Sequence, residues 1–598
     1  MASSLFITFI YFLSIYKWEK TCVYDKIITT KGSVILKFKD FKYERPNIEE
    51  FIKKIQALLA VIGEDVSYEE EVKAIKEIYD LNDEMESMIT LVSIRNSLNT
   101  KDEFYEKEQD FFNENIPQLQ QYEHIFSQKI IKSRNRKSLE KEFGELMFKQ
   151  AELAQKTFDP KIIPLLQKEN KLSTEYSKLL ASAEIEFEGG VYNLSQMGPF
   201  LQNLDRNIRH QAQLKVSDFF AKNENQLDKI YDEMVKVRTD IAEQLGYENY
   251  IQLGYDRLGR LDYNHLDVKT YRDQIYRDVV PLVASLKQRA AKRIGIENPK
   301  SYDLALSFIN GNPTPKGDRA WQVNIAKNMY EEMSKETGEF INFMISQDLL
   351  DLDSVPGKAG GGYCTYIAKY KTPFIFANFN GTSHDVDVLT HEAGHAFQVF
   401  SSRDNYPAYR WPTYEAAEIH SMSMEFLAWP WIGGFFKEDT DKYKFYHLDS
   451  AISFLPYGVS VDEFQHEIYA NPKMTPDERK ATWRKIEKKY LPYKDYDDDS
   501  FLEKGTYWYR QGHIFSSPFY YIDYTLAQVL AFQYWVKSRT NYQDAFASYL
   551  KLCKLGGSKS FVGLIEAVNL NNPFKDGTVK KVIEPIKAYL DSVKDQEL

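Results

Sequence analysis

Two histidines four residues apart, with a glutamate beside the first, make up His391-Glu392-Ala393-Gly394-His395. On a helix, positions i and i+4 lie about one turn apart on the same face, so both imidazoles can reach one divalent cation. Neutral imidazole is a good zinc ligand. The adjacent carboxylate can take the proton of a water polarised by such an ion. The pattern arises by chance in roughly 1% of chains this long, so the five residues need a context that agrees with them. A decoy in the same chain, His466-Glu467-Ile468-Tyr469-Ala470, matches until its last position.

The elements around the motif agree with a buried site. Asn380-Gly381-Thr382-Ser383 breaks a strand and offers helix caps, and the spacing predicts a helix over 384–402. Val386, Leu389, Ala393, Phe397 and Phe400 form one apolar stripe, while His391 and His395 project from roughly the opposite side with Val388 and Val399. A helix apolar on two sides is buried, and buried histidines need partners; a metal explains both. Asp385 caps this helix or orients a ligand. Ahead of it, Gly360-Gly361-Gly362 leads into 363–370, a Lys371-Thr372-Pro373 turn and Phe374–Phe379, which reads as a β-hairpin. Its second strand, Phe374–Phe379, is expected either to pack the core or to lie at an edge and hold an extended peptide. From about 47 to 350 the apolar periodicity is helical, with single helices expected over 138–155 and from about Asp205 to Glu243 among others, interrupted by a short turn or hairpin at 188–192 and a loop at 310–317. The acidic run 494–499 reads as a solvated loop capping the next helix, with a calcium site the weaker alternative.

A catalytic zinc site needs a third protein ligand and one open position. Completion by HExxHxxGxxH is excluded, because Gln398 and Ser401 occupy the Gly and His positions. A carboxylate from a following helix is the alternative. Pro407 and Pro412 separate the first helix from one that starts near Thr413 and carries Glu415, Glu418 and Glu425 near one face. Spacing does not choose between Glu415 and Glu418.

HEAGH followed by Glu418-Ile419-His420-Ser421 and Glu425 resembles the thimet oligopeptidase and oligoendopeptidase F family of zinc peptidases. The resemblance is close over 357–430 and 505–530 and compatible with the helical remainder. It implies that Glu418 is the third ligand and that Glu425 supports a ligand from behind. Ala393 and His420 depart from the family's usual residues. In Gly512-His513-Ile514-Phe515-Ser516-Ser517-Pro518-Phe519-Tyr520-Tyr521-Ile522-Asp523-Tyr524, the resemblance implies that His513 and one tyrosine bind the scissile carbonyl. Tyr521 matches best, with Tyr520 and Tyr524 as close rivals. Hydrogen-bond donors of this kind are each worth ~10²–10³ in rate.

Composition limits the rest. With 598 residues the chain exceeds one typical domain, and 43% apolar residues supply ample core. A net charge of −11 argues against nucleic acid and against an anionic membrane surface. Cys22, Cys364 and Cys553 are odd in number and far apart, which excludes a disulfide framework and points to a reducing, cytoplasmic setting. The apolar run Leu5–Tyr16 is too short to span a bilayer. Residues 1–35 read as a doubtful extension: a signal-like segment, an ordinary packed one, or residues outside the native chain, with translation starting near Leu36.

The expected fold is mainly α: a two-lobed helical metallopeptidase with a deep substrate channel and a small β-hairpin or sheet beside the HExxH helix. Residues 36–204 would form a helical lobe and 205–598 the catalytic domain. The expected function is a zinc metalloendopeptidase of oligopeptides, with His391, His395 and Glu418 holding one Zn²⁺, Glu392 as general base, and His513 and Tyr521 stabilising the oxyanion. A dipeptidyl carboxypeptidase or metallocarboxypeptidase of related fold is the rival enzyme. A non-enzymatic peptide-binding scaffold would have lost a ligand or the base, and none is lost.

Overall fold

The computed structural model describes residues 36–63, 65–355 and 357–598. The doubtful N-terminal segment 1–35 lies outside them. The fold is mainly α. Helices Ile48–Val61, Tyr68–Leu98 and Glu103–Lys132 open the chain, and their starts are written in the sequence. Asn47 accepts from the Glu50 amide, Ser67 and Glu70 form a reciprocal capping box, and Asp102 accepts from two first-turn amides.

Two predicted helices are each divided in two. The segment expected as one helix over 138–155 becomes Arg136–Phe143 and Glu145–Thr157, broken at Gly144 with φ 85°. The Tyr409 hydroxyl fills the gap: it donates to the Phe143 carbonyl at 2.8 Å and accepts from the Met147 amide at 3.2 Å. A side chain remote in sequence thus satisfies backbone groups that the helix leaves open. The run from Asp205 divides at Asn223 into Arg206–Lys222 and Glu224–Gln244.

Strands β1 (Ile185–Phe187) and β2 (Gly190–Tyr192) form the short hairpin expected near 188–192. Beside the HEAGH helix lie β3 (Leu350–Asp353), β4 (Tyr363–Ile367) and β5 (Thr372–Phe379). The predicted hairpin is β4–β5, but the order is β3-β5-β4, with β3 parallel to β5. Phe374–Phe379 therefore lies at the centre of the sheet, and its expected edge position is corrected. The reason is β3, only four residues long, which carries no periodic signal of its own. β3 and β4 each keep one unpaired side within this sheet, and β4 is the outer strand that reaches the cleft at the HEAGH motif.

The HEAGH helix, His384–Ser402, has the predicted bounds and packs on the sheet. The helix Tyr414–Leu427 crosses it and is wrapped on its far side by Tyr521–Thr540. Of the 14 residues in Tyr414–Leu427, only Tyr414 and Glu425 escape full burial. The first helices close over this core through Arg410, whose guanidinium meets Asp83 with two bonds of 2.9 Å. Between those helices and Ala408–Tyr414 runs an apolar chamber that shares Trp411, Pro412 and Tyr414 with the cleft at the HEAGH motif. No helix among the described residues is long and apolar enough to cross a membrane.

A second ionic tie holds the segment that carries His513. Glu169 receives Arg238 at 2.7 Å and Arg257 at 3.1 Å, and Arg238 also donates to the carbonyls of Ile514 and Phe515. Burial works to raise the Glu169 carboxyl, but Arg257 and Arg238 hold it down at about 2. Its folded value lies below its ordinary 4.5, so its stabilisation is complete above about pH 4.5 and disappears as pH falls toward 2. That difference corresponds to about 3 kcal/mol at most. Glu169→Gln should flatten the stability-versus-pH curve by that amount between pH 4.5 and 2. Equilibrium unfolding across that window checks it, and an unaltered slope removes Glu169 as the cause.

Candidate active site

The strand β5 runs straight into the helix that carries the motif. The turn is closed by Asp385, which accepts from the amides of Asn380 and Gly381, both at 2.8 Å. Asp385 thus holds the turn at the helix start and does not orient a ligand. About two and three turns further on, the rings of His391 and His395 face the same cleft with centroids 5.0 Å apart.

Gly394 decides what meets them. A Cβ at this position would lie 2.6 Å from the Ser421 Cα and 2.7 Å from the His420 carbonyl oxygen. Only glycine lets the two helices touch backbone to backbone, and that contact brings Glu418 to the histidines. The Glu418 Oε2 lies 3.3 Å from the Nε2 of both His391 and His395. These three donor atoms lie within 4.8 Å of one another. Ser421 donates to Glu418 Oε2 at 3.0 Å, and Tyr520 donates to its Oε1 at 2.7 Å. Two imidazole nitrogens and one carboxylate oxygen are a zinc donor set, and the convergence of all three fits such an ion. Glu415, the rival third ligand, is buried beside Arg260 away from the histidines; burial raises its carboxyl to about 7 while Arg260 opposes. The decoy His466 bonds Asp462 and Arg272 and does not join His391, His395 and Glu418.

Behind the triad stands a network the sequence only half showed. Glu425 accepts from His391 Nδ1 at 2.7 Å and from His447 Nε2 at 2.8 Å, and Trp429 donates to His447 Nδ1 at 3.1 Å. The indole donates only, so His447 Nδ1 accepts and its proton sits on Nε2, toward Glu425. Glu425 in turn fixes the His391 proton on Nδ1 and leaves Nε2 free to ligate. Burial would raise Glu425, but bonds to His391 and His447 hold it at about 2. No motif marks His447: it is one residue of the 31-residue helix Thr440–Ala470, and only tertiary packing brings it here.

Glu392 faces the same cleft. It is 7% exposed, its Oε2 has no hydrogen-bond partner among the described residues, and burial raises its pKa against the pull of His391 and His395. A buried carboxylate held ready without a partner is suited to proton transfer.

The opposite wall carries His513, Tyr520 and Tyr524. Burial lowers His513 to about 4, so the ring is neutral near pH 7. Gln511 donates to its Nδ1 at 2.8 Å, which leaves the proton on Nε2, 3.5 Å from the Tyr524 hydroxyl. Tyr521 is not among the cleft residues. Its ring packs on Phe454 and Tyr457 at 5.7 and 5.9 Å. The helix starting at Tyr521 turns consecutive residues by about 100°, so Tyr520 and Tyr524, four apart, share the cleft face and Tyr521 does not. The Tyr521 ring also lies 4.9 Å from that of His513, so the expected residue stands beside the cleft without lining it. His420, the other departure, is fully buried, bonded through Nδ1 to the Ala416 carbonyl at 2.8 Å, and does not line the cleft. The acidic run 494–499 forms a loop in which Asp499 caps the next helix, as expected.

Comparison with known proteins agrees with this geometry. Residues 38–158 match the peptidase M3 N-terminal domain and 322–583 match peptidase family M3. The chain is 25% identical over 461 residues to an oligoendopeptidase F homolog of Borreliella burgdorferi, covering 72% of this chain and 75% of that protein. A solved structure of PZ peptidase A with an inhibitor is 51% identical, with TM-score 0.91 over 94% of this chain and 100% of its own. A structure assigned to oligoendopeptidase F from Bacillus anthracis str. Ames is 50% identical, with TM-score 0.87 over 94% and 99%. The helical fold is thus that of a peptidase, and the chain belongs to peptidase family M3, among the oligoendopeptidase F-type members.

Proposed function

We propose that this chain is a zinc-dependent endopeptidase that cleaves internal bonds of oligopeptides. One observation carries the reading: the Glu418 Oε2 stands 3.3 Å from both His391 Nε2 and His395 Nε2 in the cleft that also holds the unpartnered Glu392. Zinc held by His391, His395 and Glu418 would polarise the scissile carbonyl and acidify the attacking water. Glu392 accepts the proton of that water and returns it to the departing amine. The neutral His513, through its Nε2 proton, and the Tyr524 hydroxyl donate to the oxygen that gains negative charge. Tyr520 holds the outer oxygen of Glu418 and so fixes the ligand. An extended peptide pairs along the open side of β4, where Gly362, Tyr363 and Cys364 line the cleft. The adjoining apolar chamber admits short chains and excludes folded proteins. Among the described residues Cys364 and Cys553 form no disulfide, which is compatible with a reducing setting.

Each role has its own measurement. Glu392→Gln should retain zinc and lower turnover by about 10²–10⁴; undiminished cleavage removes Glu392 as the base. Glu418→Ala should lose zinc by elemental analysis while Glu415→Ala keeps it, and the reverse pattern overturns the ligand assignment. Tyr524→Phe should lower turnover by about 10²–10³, with KM nearly unchanged, whereas Tyr521→Phe stays near the parent rate. If Tyr521→Phe is the damaging change, the carbonyl-binding role moves there. Mass analysis of products from a C-terminally blocked peptide should show internal cleavage; absence of cleavage on that peptide would favour a carboxypeptidase.

A further inference from the structure

Tyr520 and Tyr524 follow a backbone feature that catalysis alone does not require. Phe519, immediately before Tyr520, has φ 65°, a left-handed conformation unfavourable for a bulky residue. Such a residue persists only where its surroundings hold it, and here they hold it on three sides. Its amide donates to Gln465 Oε1 at 2.9 Å. Its carbonyl accepts from Arg260 Nη2 at 2.6 Å, and the same nitrogen donates to Asp523 Oδ1 at 2.6 Å. Its ring is fully buried, 4.8 Å from the His466 ring, and lies over Gly254 in the helix Tyr250–Arg257. A Cβ on Gly254 would sit 2.6 Å from the Phe519 Cδ2. Gln465, Arg260 and Asp523 are all buried, and none lines the cleft.

One guanidinium therefore grips the residue before Tyr520 and the residue before Tyr524. We propose that Phe519, seated over Gly254 and gripped by Arg260, is a latch that positions Tyr520 and Tyr524 against the metal triad. Arg260, Gln465 and Gly254 are positioning residues: they touch neither substrate nor ligands and act through the backbone turn. The physical case rests on rigidity. The turn between His513 and the helix Tyr521–Thr540 could take several shapes, and the left-handed Phe519 selects the one that brings both hydroxyls into the cleft. Displacing a positioned group by about 1 Å can cost on the order of 10² in rate. The inference rests on the reading of Tyr524 as a donor to the reacting carbonyl.

The test uses two variants of the full chain that leave the triad and Glu392 unaltered. Gly254→Ala adds one methyl under the Phe519 ring and removes no polar group. Arg260→Lys keeps a positive charge beside Asp523 but loses the planar fork. Each should retain stoichiometric zinc, keep KM within about threefold and lower kcat by about tenfold or more. In the Gly254→Ala background, Tyr524→Phe should cost at least tenfold less than it does in the parent chain, because the hydroxyl is already misplaced. Parent-like kcat in both variants overturns the latch, even if their melting temperatures fall. A full-sized Tyr524→Phe effect in the Gly254→Ala background overturns it too. The parent enzyme separates the two claims: if Tyr524→Phe there leaves turnover unaltered, the catalytic reading fails and the latch with it. If it is damaging while the latch variants are not, the latch alone fails.

Discussion

The contact between two helix backbones at Gly394 is the constraint on which the site depends. Metal-ligand bonds are short, and a carboxylate on one helix reaches two imidazoles on another only if the axes come close. Any side chain at residue 394 would collide with Ser421 and His420, so the glycine inside the HEAGH motif is a packing requirement as much as a spacer. The neighbouring elements keep that contact closed. The sheet supports His384–Ser402 from one side, and Tyr521–Thr540 presses Tyr414–Leu427 from the other. The same arrangement that brings Glu418 to the histidines brings Tyr520 onto Glu418.

The price of gathering so many carboxyls and imidazoles out of water is met by pairing them. Glu425 sits between His391 and His447, Glu418 between two histidines, a serine and a tyrosine, and Glu169 between two arginines. Buried charges with such partners are tolerated; those without them shift toward neutrality. Glu392 is left without a partner at its Oε2, and His513 is held neutral. These two departures from full satisfaction line the same cleft, and they are the residues that the proposed function uses for proton transfer and oxyanion binding.

Legibility varied with the range of the interaction. The helix 384–402, the β4–β5 hairpin and the capped N-terminal helices were readable because caps, turns and periodicity act within a few residues. The place of β5 in its sheet was not, because its parallel partner β3 is four residues long and lies beyond a loop. The tyrosine was not readable for a related reason. A match by sequence position cannot say which of Tyr520, Tyr521 and Tyr524 faces inward, since a one-residue change of register turns a helix by about 100°. The register is set by Phe519, whose left-handed backbone leaves no mark in sequence.

By itself, the sequence determined which groups were available for chemistry: two histidines one turn apart, a glutamate beside the first, and acids at Glu415, Glu418 and Glu425 on a following helix. It did so because helical geometry converts spacing into facing. Which acid meets the histidines, that His447 supports Glu425, and that Tyr524 rather than Tyr521 enters the cleft were decided by tertiary structure alone. Those outcomes depend on how closely two helices approach and on the phase in which a third helix starts. Both are set by packing between segments far apart in the chain.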